Sequence, residues 1–265
     1  MGNTARYALF FIVILLSNII QAITGFAGTV LAMPFSIILV GGEEARVILN
    51  ILGIAASIGV VVLNHRYIKW QEVLKICIIM AVGMAVGFVI IHFANVPKQI
   101  LYFILAGFIL LFTALGMYST FFKKERVLED GEVDKYAKLK EAALVALLVV
   151  AGVVHGMFVC GGPLLIIYAT KKLKGRDEFR ATLSMVWIVL NTVNLVRDII
   201  AGAFTAENVG HMMAVLGIAL ATLLVAIVVG NLIAKKLNKK VFMIITYALM
   251  VISAISLILN ACGIF

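Results

Sequence analysis

At 265 residues, with 64% hydrophobic and 13% charged side chains and a mean hydropathy of +1.16, the chain is far too apolar to be a water-soluble domain. A soluble enzyme and a nucleic-acid-binding module are excluded despite a formal net charge of +9. Most basic residues lie in short connections between apolar runs, where they set membrane topology. Cys77, Cys160 and Cys262 all fall in apolar segments, which points to neither a disulfide framework nor a paired-cysteine metal site.

The first apolar run, residues 7–40, carries no charge. As one helix it would be about 50 Å long against a hydrocarbon core of about 30 Å, so it must bend or fold back. It is too long for a signal-peptide h-region. Its break is expected at residues 25–34, Gly-Phe-Ala-Gly-Thr-Val-Leu-Ala-Met-Pro, where Pro34 either starts a half-helix or kinks one. Gly-Gly-Glu-Glu-Ala-Arg follows at 41–46, then spans near 47–64, 73–94 and 99–122. Residues 123–141 mix charges around Asp130-Gly131 and read as a solvated linker.

The pattern then restarts. Residues 142–170 are uncharged apart from His155 and would make a helix of about 43 Å. They are interrupted at 156–163 by Gly-Met-Phe-Val-Cys-Gly-Gly-Pro, whose last three residues suit an abrupt helix start. Spans near 181–205, 208–234 and 241–263 complete the chain. The halves match as sequences too: Thr24-Gly25 with His155-Gly156, Pro34 with Pro163, and Glu43 to Arg46 with Asp177 to Arg180. The division is therefore 1–122 for the first transmembrane repeat, 123–141 for a cytoplasmic linker and 142–265 for the second repeat.

Loop charge gives the orientation. If both broken runs return to the side they entered, 18 of the 22 Lys and Arg residues share one face, and Arg6, Arg46, Lys98 and Arg197 are left on the other. If both runs cross, the division is even. The expected fold is thus an all-α polytopic membrane protein of two inverted repeats, each a broken-helix hairpin followed by three transmembrane helices. Both termini lie outside the cytoplasmic membrane in this arrangement. In such folds broken helices meet near the midplane, and their half-helix N-termini present partial positive charge to an anion.

The span after each hairpin carries a polar face at helical spacing: Arg46, Asn50, Gly53, Ser57, Val60 and Asn64 in the first half, and Arg180, Ser184, Trp187, Asn191, Asn194 and Asp198 in the second. Asparagine and serine there either line a substrate path or join helices by hydrogen bonds. Arg46 and Arg180 are placed to act on an anion, the alternative being helix ends that reach water. With the break residues, the candidate substrate-binding set is Thr24, Gly25, Gly28, Arg46, Asn50, Ser57, His155, Gly156, Cys160, Gly161, Gly162, Arg180, Ser184, Asn191 and Asn194. His155 could couple or gate by taking a proton, or serve as a hydrogen-bonded structural residue. Arg197 and Asp198 read as an interfacial pair.

The glycine-rich break ending in Pro34, its counterpart from His155-Gly156 to Gly161-Gly162-Pro163, and the arginine after each resemble the TauE/SafE family of sulfite and organosulfonate exporters over essentially the whole chain. The first break departs from the uninterrupted glycine cluster of that family in reading Gly25-Phe26-Ala27-Gly28. The resemblance implies export of a small sulfur-containing or carboxylate anion. An inside-negative potential favours outward movement of a monovalent anion by about 2.3 kcal/mol per 100 mV. A carrier, an anion channel and a membrane-embedded enzyme using Cys160 and His155 are the three readings; the last lacks a nucleophile, base and orienter set. The expected partners are the small anion and the lipid bilayer, with no cofactor, no metal and no nucleic acid, and nothing in the sequence sets an oligomeric state.

Overall fold

The computed structural model describes residues 2–24, 28–93, 97–121, 137–173, 176–234 and 239–263. These form ten α-helices and no strand: α1 (Asn3–Thr24), α2 (Gly28–Val40), α3 (Gly42–Asn64), α4 (Trp70–Phe93), α5 (Lys98–Phe121), α6 (Ala137–Phe158), α7 (Gly162–Lys172), α8 (Arg176–Ile200), α9 (Val209–Ala234) and α10 (Lys239–Ala261). Six of them, α1, α3, α4, α6, α8 and α9, are long and apolar enough to cross a membrane. At 24 and 23 residues, α5 and α10 have similar lengths. With 13 and 11 residues, α2 and α7 reach only about 20 and 16 Å.

Both broken runs fold back. Arg6, near the start of α1, donates from Nη2 to the carbonyl of Ile38, near the end of α2, at 3.4 Å. Glu141, near the start of α6, takes the Lys172 ammonium from the last turn of α7 at 2.7 Å. In each pair the short helix therefore ends beside the start of the long one.

The helix starts refine the repeat. α6 follows α1 (137 against 3), α7 follows α2 (162 against 28) and α8 follows α3 (176 against 42) at one offset of 134 residues. On that register Pro34 and Pro163 are not equivalent. Pro163 sits in the first turn of α7, whereas Pro34 lies inside α2, which Gly28 begins. Pro34 therefore does not start the half-helix. Having no N-H, it instead leaves the carbonyl of Val30 without its helical donor. His155-Gly156 likewise lies within α6 and not at the break. The break follows Phe158, where Val159 takes φ +57°, a left-handed conformation that costs a β-branched residue about 1–3 kcal/mol.

The spans after the hairpins begin earlier than apolarity alone suggests, at 42 and 176 instead of 47 and 181. Their first turns carry Glu43 and Glu44, and Asp177 and Glu178, which favour a helix N-terminus through its partial positive charge. α8 also ends sooner, at Ile200. Gly202 at φ +85° turns the chain, and Thr205 and Asn208 exchange side-chain-to-backbone hydrogen bonds ahead of α9.

Packing interlocks the halves. α1 lies on α9, and its counterpart α6 lies on α4; α3 lies on α8 and α5 on α10; α3 touches α9 as α8 touches α4. Exchanging each helix with the one five places on reproduces these pairings. The α4–α6 pair is held by glycine. A Cβ on Gly83 would strike the Val149 carbonyl, one on Gly87 would come within 2.6 Å of the Val153 carbonyl, and ones on Gly152 and Gly156 would meet the backbone of Met80 and Met84. Two four-residue glycine spacings thus face each other, the small-residue contact that lets membrane helices approach closely. On the outer side of α4, Leu74, Ile78, Val82, Val86 and Val89 form an exposed apolar stripe suited to lipid.

Candidate functional site

The polar faces of α3 and α8 meet along one seam, which crosses at the middle of both helices. There Gly53 faces Asn191 so closely that a Cβ would lie 2.7 Å from the amide nitrogen. The two ends of the seam differ.

Toward the start of α3 it is closed. Asn50 Nδ2 donates to the Asn191 backbone carbonyl at 3.0 Å. One turn further, Arg46 grips Asp198 with two contacts, Nη2 to Oδ1 at 2.9 Å and Nε to Oδ2 at 3.2 Å. Arg197 adds a second cation 2.8 Å from the same carboxylate and lies 4.6 Å from the Phe88 ring centroid. The Asp198 side chain is fully buried. Arg197 and Asp198 are therefore paired as expected, but Asp198 also holds Arg46.

Toward the start of α8 the seam opens into a cavity of about 370 Å³. Arg180 is the only charged residue among the described ones that line it. Ser57, Ser184, Asn64, Asn18, Gln21 and Asn231 supply the polar groups, and Leu63, Leu223 and Ile227 part of the apolar wall. No described residue forms an ion pair or hydrogen bond with the Arg180 guanidinium. Asn64 donates one of its two amide N-H groups to the Val60 carbonyl at 3.1 Å.

Gln21, Ser57 and Trp187 also line a smaller cavity of about 30 Å³, room for little more than a water molecule. The smaller cavity is where the two hairpins meet. Thr29 and Val30 from the start of α2, and Val159 and Gly162 from the second break, line it with Gly53, His155 and Asn191. The Cys160 thiol points at the Thr29 carbonyl, Sγ to O 3.9 Å. Asn194 Nδ2 donates at 3.2 Å to the carbonyl of His155, which also receives the Val159 N-H at 2.8 Å, so α8 supports the end of α6. The His155 ring is buried beside Trp187, centroids 5.3 Å apart, and within reach of the Asn191 side chain, but neither ring nitrogen makes a well-aligned hydrogen bond among the described residues, and nor do the amide oxygens of Asn50, Asn191 and Asn194. A buried polar atom left without any partner costs about 1–3 kcal/mol, and these five lie close together where the hairpins meet.

The sequence candidates thus divide. His155, Gly162 and Asn191 line the small cavity, Arg180 and Ser184 the large one, and Ser57 both. Asn50, Asn194 and Cys160 brace the same region by hydrogen bonds. Gly28 packs on Gln21, Gly161 on Ala151 and His155, and Gly156 on α4. Arg46 is engaged by Asp198 and does not reach either cavity. Gly25 and the side chain of Thr24 lie outside the described residues. Asn18, Gln21, Thr29, Asn64, Asn231, Trp187 and Asp198 were not among the candidates. Asn18 and Gln21, three apart within a charge-free run, and Asn231, near the end of a nearly all-apolar span, carried a readable signal. Among the described residues no group of three or more His, Cys, Asp or Glu side chains is placed to hold a metal ion.

An all-helical bundle with membrane-length apolar helices, two half-helices meeting inside it and a cation-lined cavity leading to them defines a polytopic membrane transport protein. Residues 9–257 match the family model for the sulfite exporter TauE/SafE, so the chain belongs to that family of membrane transporters. No curated protein sequence and no solved structure matches the chain.

Proposed function

We propose that the protein is a secondary carrier that exports a small sulfur-containing or carboxylate anion across the cytoplasmic membrane by alternating access. The observation that carries this reading is Arg180, without a counter-ion among the described residues, in a cavity of about 370 Å³, of the size that encloses a small ligand. The cavity leads toward the point where the N-terminal ends of α2 and α7 converge. Both helix dipoles present their positive ends there, so charge and helix geometry favour the same sign of ligand. The family match supports a sulfur oxyanion as cargo.

The loop charge division places the start of α8 on the cytoplasmic side and the start of α3 outside. On that orientation the large cavity faces the cytoplasm and the Arg46–Asp198 pair closes the external end. The exchange of helix pairings between the halves is the packing expected of an inverted repeat, in which the mirror-related state would close the Arg180 end and open the other. The small cavity, too tight for the anion in this state, would widen as Trp187 moves.

Reconstituted vesicles test the reading. Sulfite flux should saturate, and unlabelled sulfite on the far side should accelerate uptake of the labelled ion. Flux that rises linearly with concentration and shows no counterflow would identify a channel. Absence of flux for both sulfite and short organosulfonates would remove the substrate assignment.

A further inference from the structure

Arg46 and Arg180 occupy equivalent positions at the offset of 134 that relates α3 to α8, and so do Asn64 and Asp198. Each arginine therefore faces, across the seam, the equivalent of the other's partner position. At one end that position holds a carboxylate, which lies 2.9 Å from the guanidinium of Arg46. At the other it holds Asn64, a neutral side chain that gives one of its two amide N-H groups to its own helix and lines the open cavity together with Arg180. The two ends share one construction, but where the closed end carries Arg197 and Asp198 the open end carries the uncharged Leu63 and Asn64.

We infer that the acid group of the transported anion binds at the Arg180–Asn64 end of the seam, in the place that the Asp198 carboxylate takes at Arg46, and that Asp198 is a tethered counter-anion built in to hold the other end shut. The inference rests on the proposed transport of an anion. It adds the position of the acid group, the part played by Asn64, and the charge class of the ligand. One guanidinium with no counter-ion among the described residues, set among neutral amides and hydroxyls, neutralises one negative charge. A singly charged oxyanion with two oxygens in one plane, whether sulfonate, hydrogen sulfite or carboxylate, can take the paired contact that Arg46 makes with Asp198. The apolar wall at Leu63, Leu223 and Ile227 leaves space beyond the acid group for a short uncharged body.

Asn64→Asp installs the missing carboxylate and should close the open end with a second tethered anion. Titration of the purified full-length chain with sulfite and with methanesulfonate should show an affinity loss of about tenfold or more for this variant, and a smaller loss for Asn64→Gln, which alters shape without charge. A second arm needs no cargo. In a Cys77→Ser, Cys262→Ser background, the thiol introduced by Asn64→Cys should react faster with an anionic sulfonatoethyl methanethiosulfonate than with its cationic trimethylammonium analogue. Arg180→Gln should abolish that preference.

Equal affinity of Asn64→Asp and the unaltered chain for the anions would overturn the inference, as would a reagent preference that ignores Arg180. If the unaltered chain binds neither probe while the Arg180-dependent preference is present, the anion position stands and the sulfur-anion cargo falls. If it binds both probes with no such preference, the cargo stands and the position falls.

Discussion

Arg46 on α3 and Asp198 on α8 form a two-contact ion pair, at 2.9 and 3.2 Å, at one end of a seam whose other end is an open cavity beside Arg180. With the Asp198 side chain fully buried and Arg197 also against it, this carboxylate is shared by two cations. Removing its charge leaves both half-buried arginines without this counter-ion. Asp198→Asn should therefore destabilise the fold by about 3 kcal/mol and lower the thermal unfolding midpoint in detergent. A midpoint within a degree of the unaltered protein would show that the pair is not holding α3 to α8.

The α4–α6 contact depends on absent side chains. Gly152→Val should separate two helices that now meet backbone to backbone, costing about 3 kcal/mol or more and reducing the yield of folded protein. Gly107 on α5, where an added Cβ meets nothing within 4 Å, is the internal control. Equal melting behaviour of Gly152→Val and Gly107→Val would contradict the packing account.

Gly161 adopts ordinary helical angles, φ −68° and ψ −2°, so a side chain is not excluded by backbone conformation. Space excludes it: a Cβ would sit against the Ala151 carbonyl and 2.7 Å from the Cβ of His155. Gly161→Leu should abolish flux by displacing the start of α7 from the small cavity, while the chain still inserts in the membrane. Flux at the unaltered rate would mean that the convergence of α2 and α7 is not where transport takes place.

The inverted orientation is open to labelling. Single cysteines placed at residues 130 and 237 should react with a membrane-impermeant maleimide only after the cells are opened. One near residue 206 should react in intact cells. Labelling of residue 130 from outside would reverse the assignment of the cytoplasmic face and with it the direction in which the large cavity opens.

Much of this molecule was legible in its sequence because a membrane removes alternatives. Uncharged runs longer than the bilayer had to fold back, and the Arg6–Ile38 and Glu141–Lys172 contacts show that they do. The three- and four-residue spacing of polar groups placed Ser57, Ser184 and Asn191 on the α3–α8 seam, since helical period alone decides which residues share a face. Pro34 stayed open between starting a half-helix and kinking one because a proline within a helix and one at its start look alike in sequence when glycines precede both. The partner of Arg46 was hidden for a different reason. Asp198 is 152 residues away and next to Arg197, so local spacing suggested a neighbour pair, and only the packing of α8 on α3 brings the third charge to it. The facing glycines of α4 and α6 are likewise a relation between two helices, and neither helix states it alone.

The central claim is that Arg180, and not its counterpart Arg46, meets the transported anion in this conformation. Equilibrium binding of labelled sulfite to purified Arg180→Gln and Arg46→Gln chains addresses it directly. Arg180→Gln should weaken binding by about tenfold or more, with Arg180→Lys recovering part of the loss, because removing the guanidinium removes the only charge among the described residues that line the cavity. Arg46→Gln should leave the dissociation constant within about threefold, since that guanidinium is already taken by Asp198. Equal affinity of Arg180→Gln and the unaltered chain, or a larger loss for Arg46→Gln than for Arg180→Gln, would contradict the account.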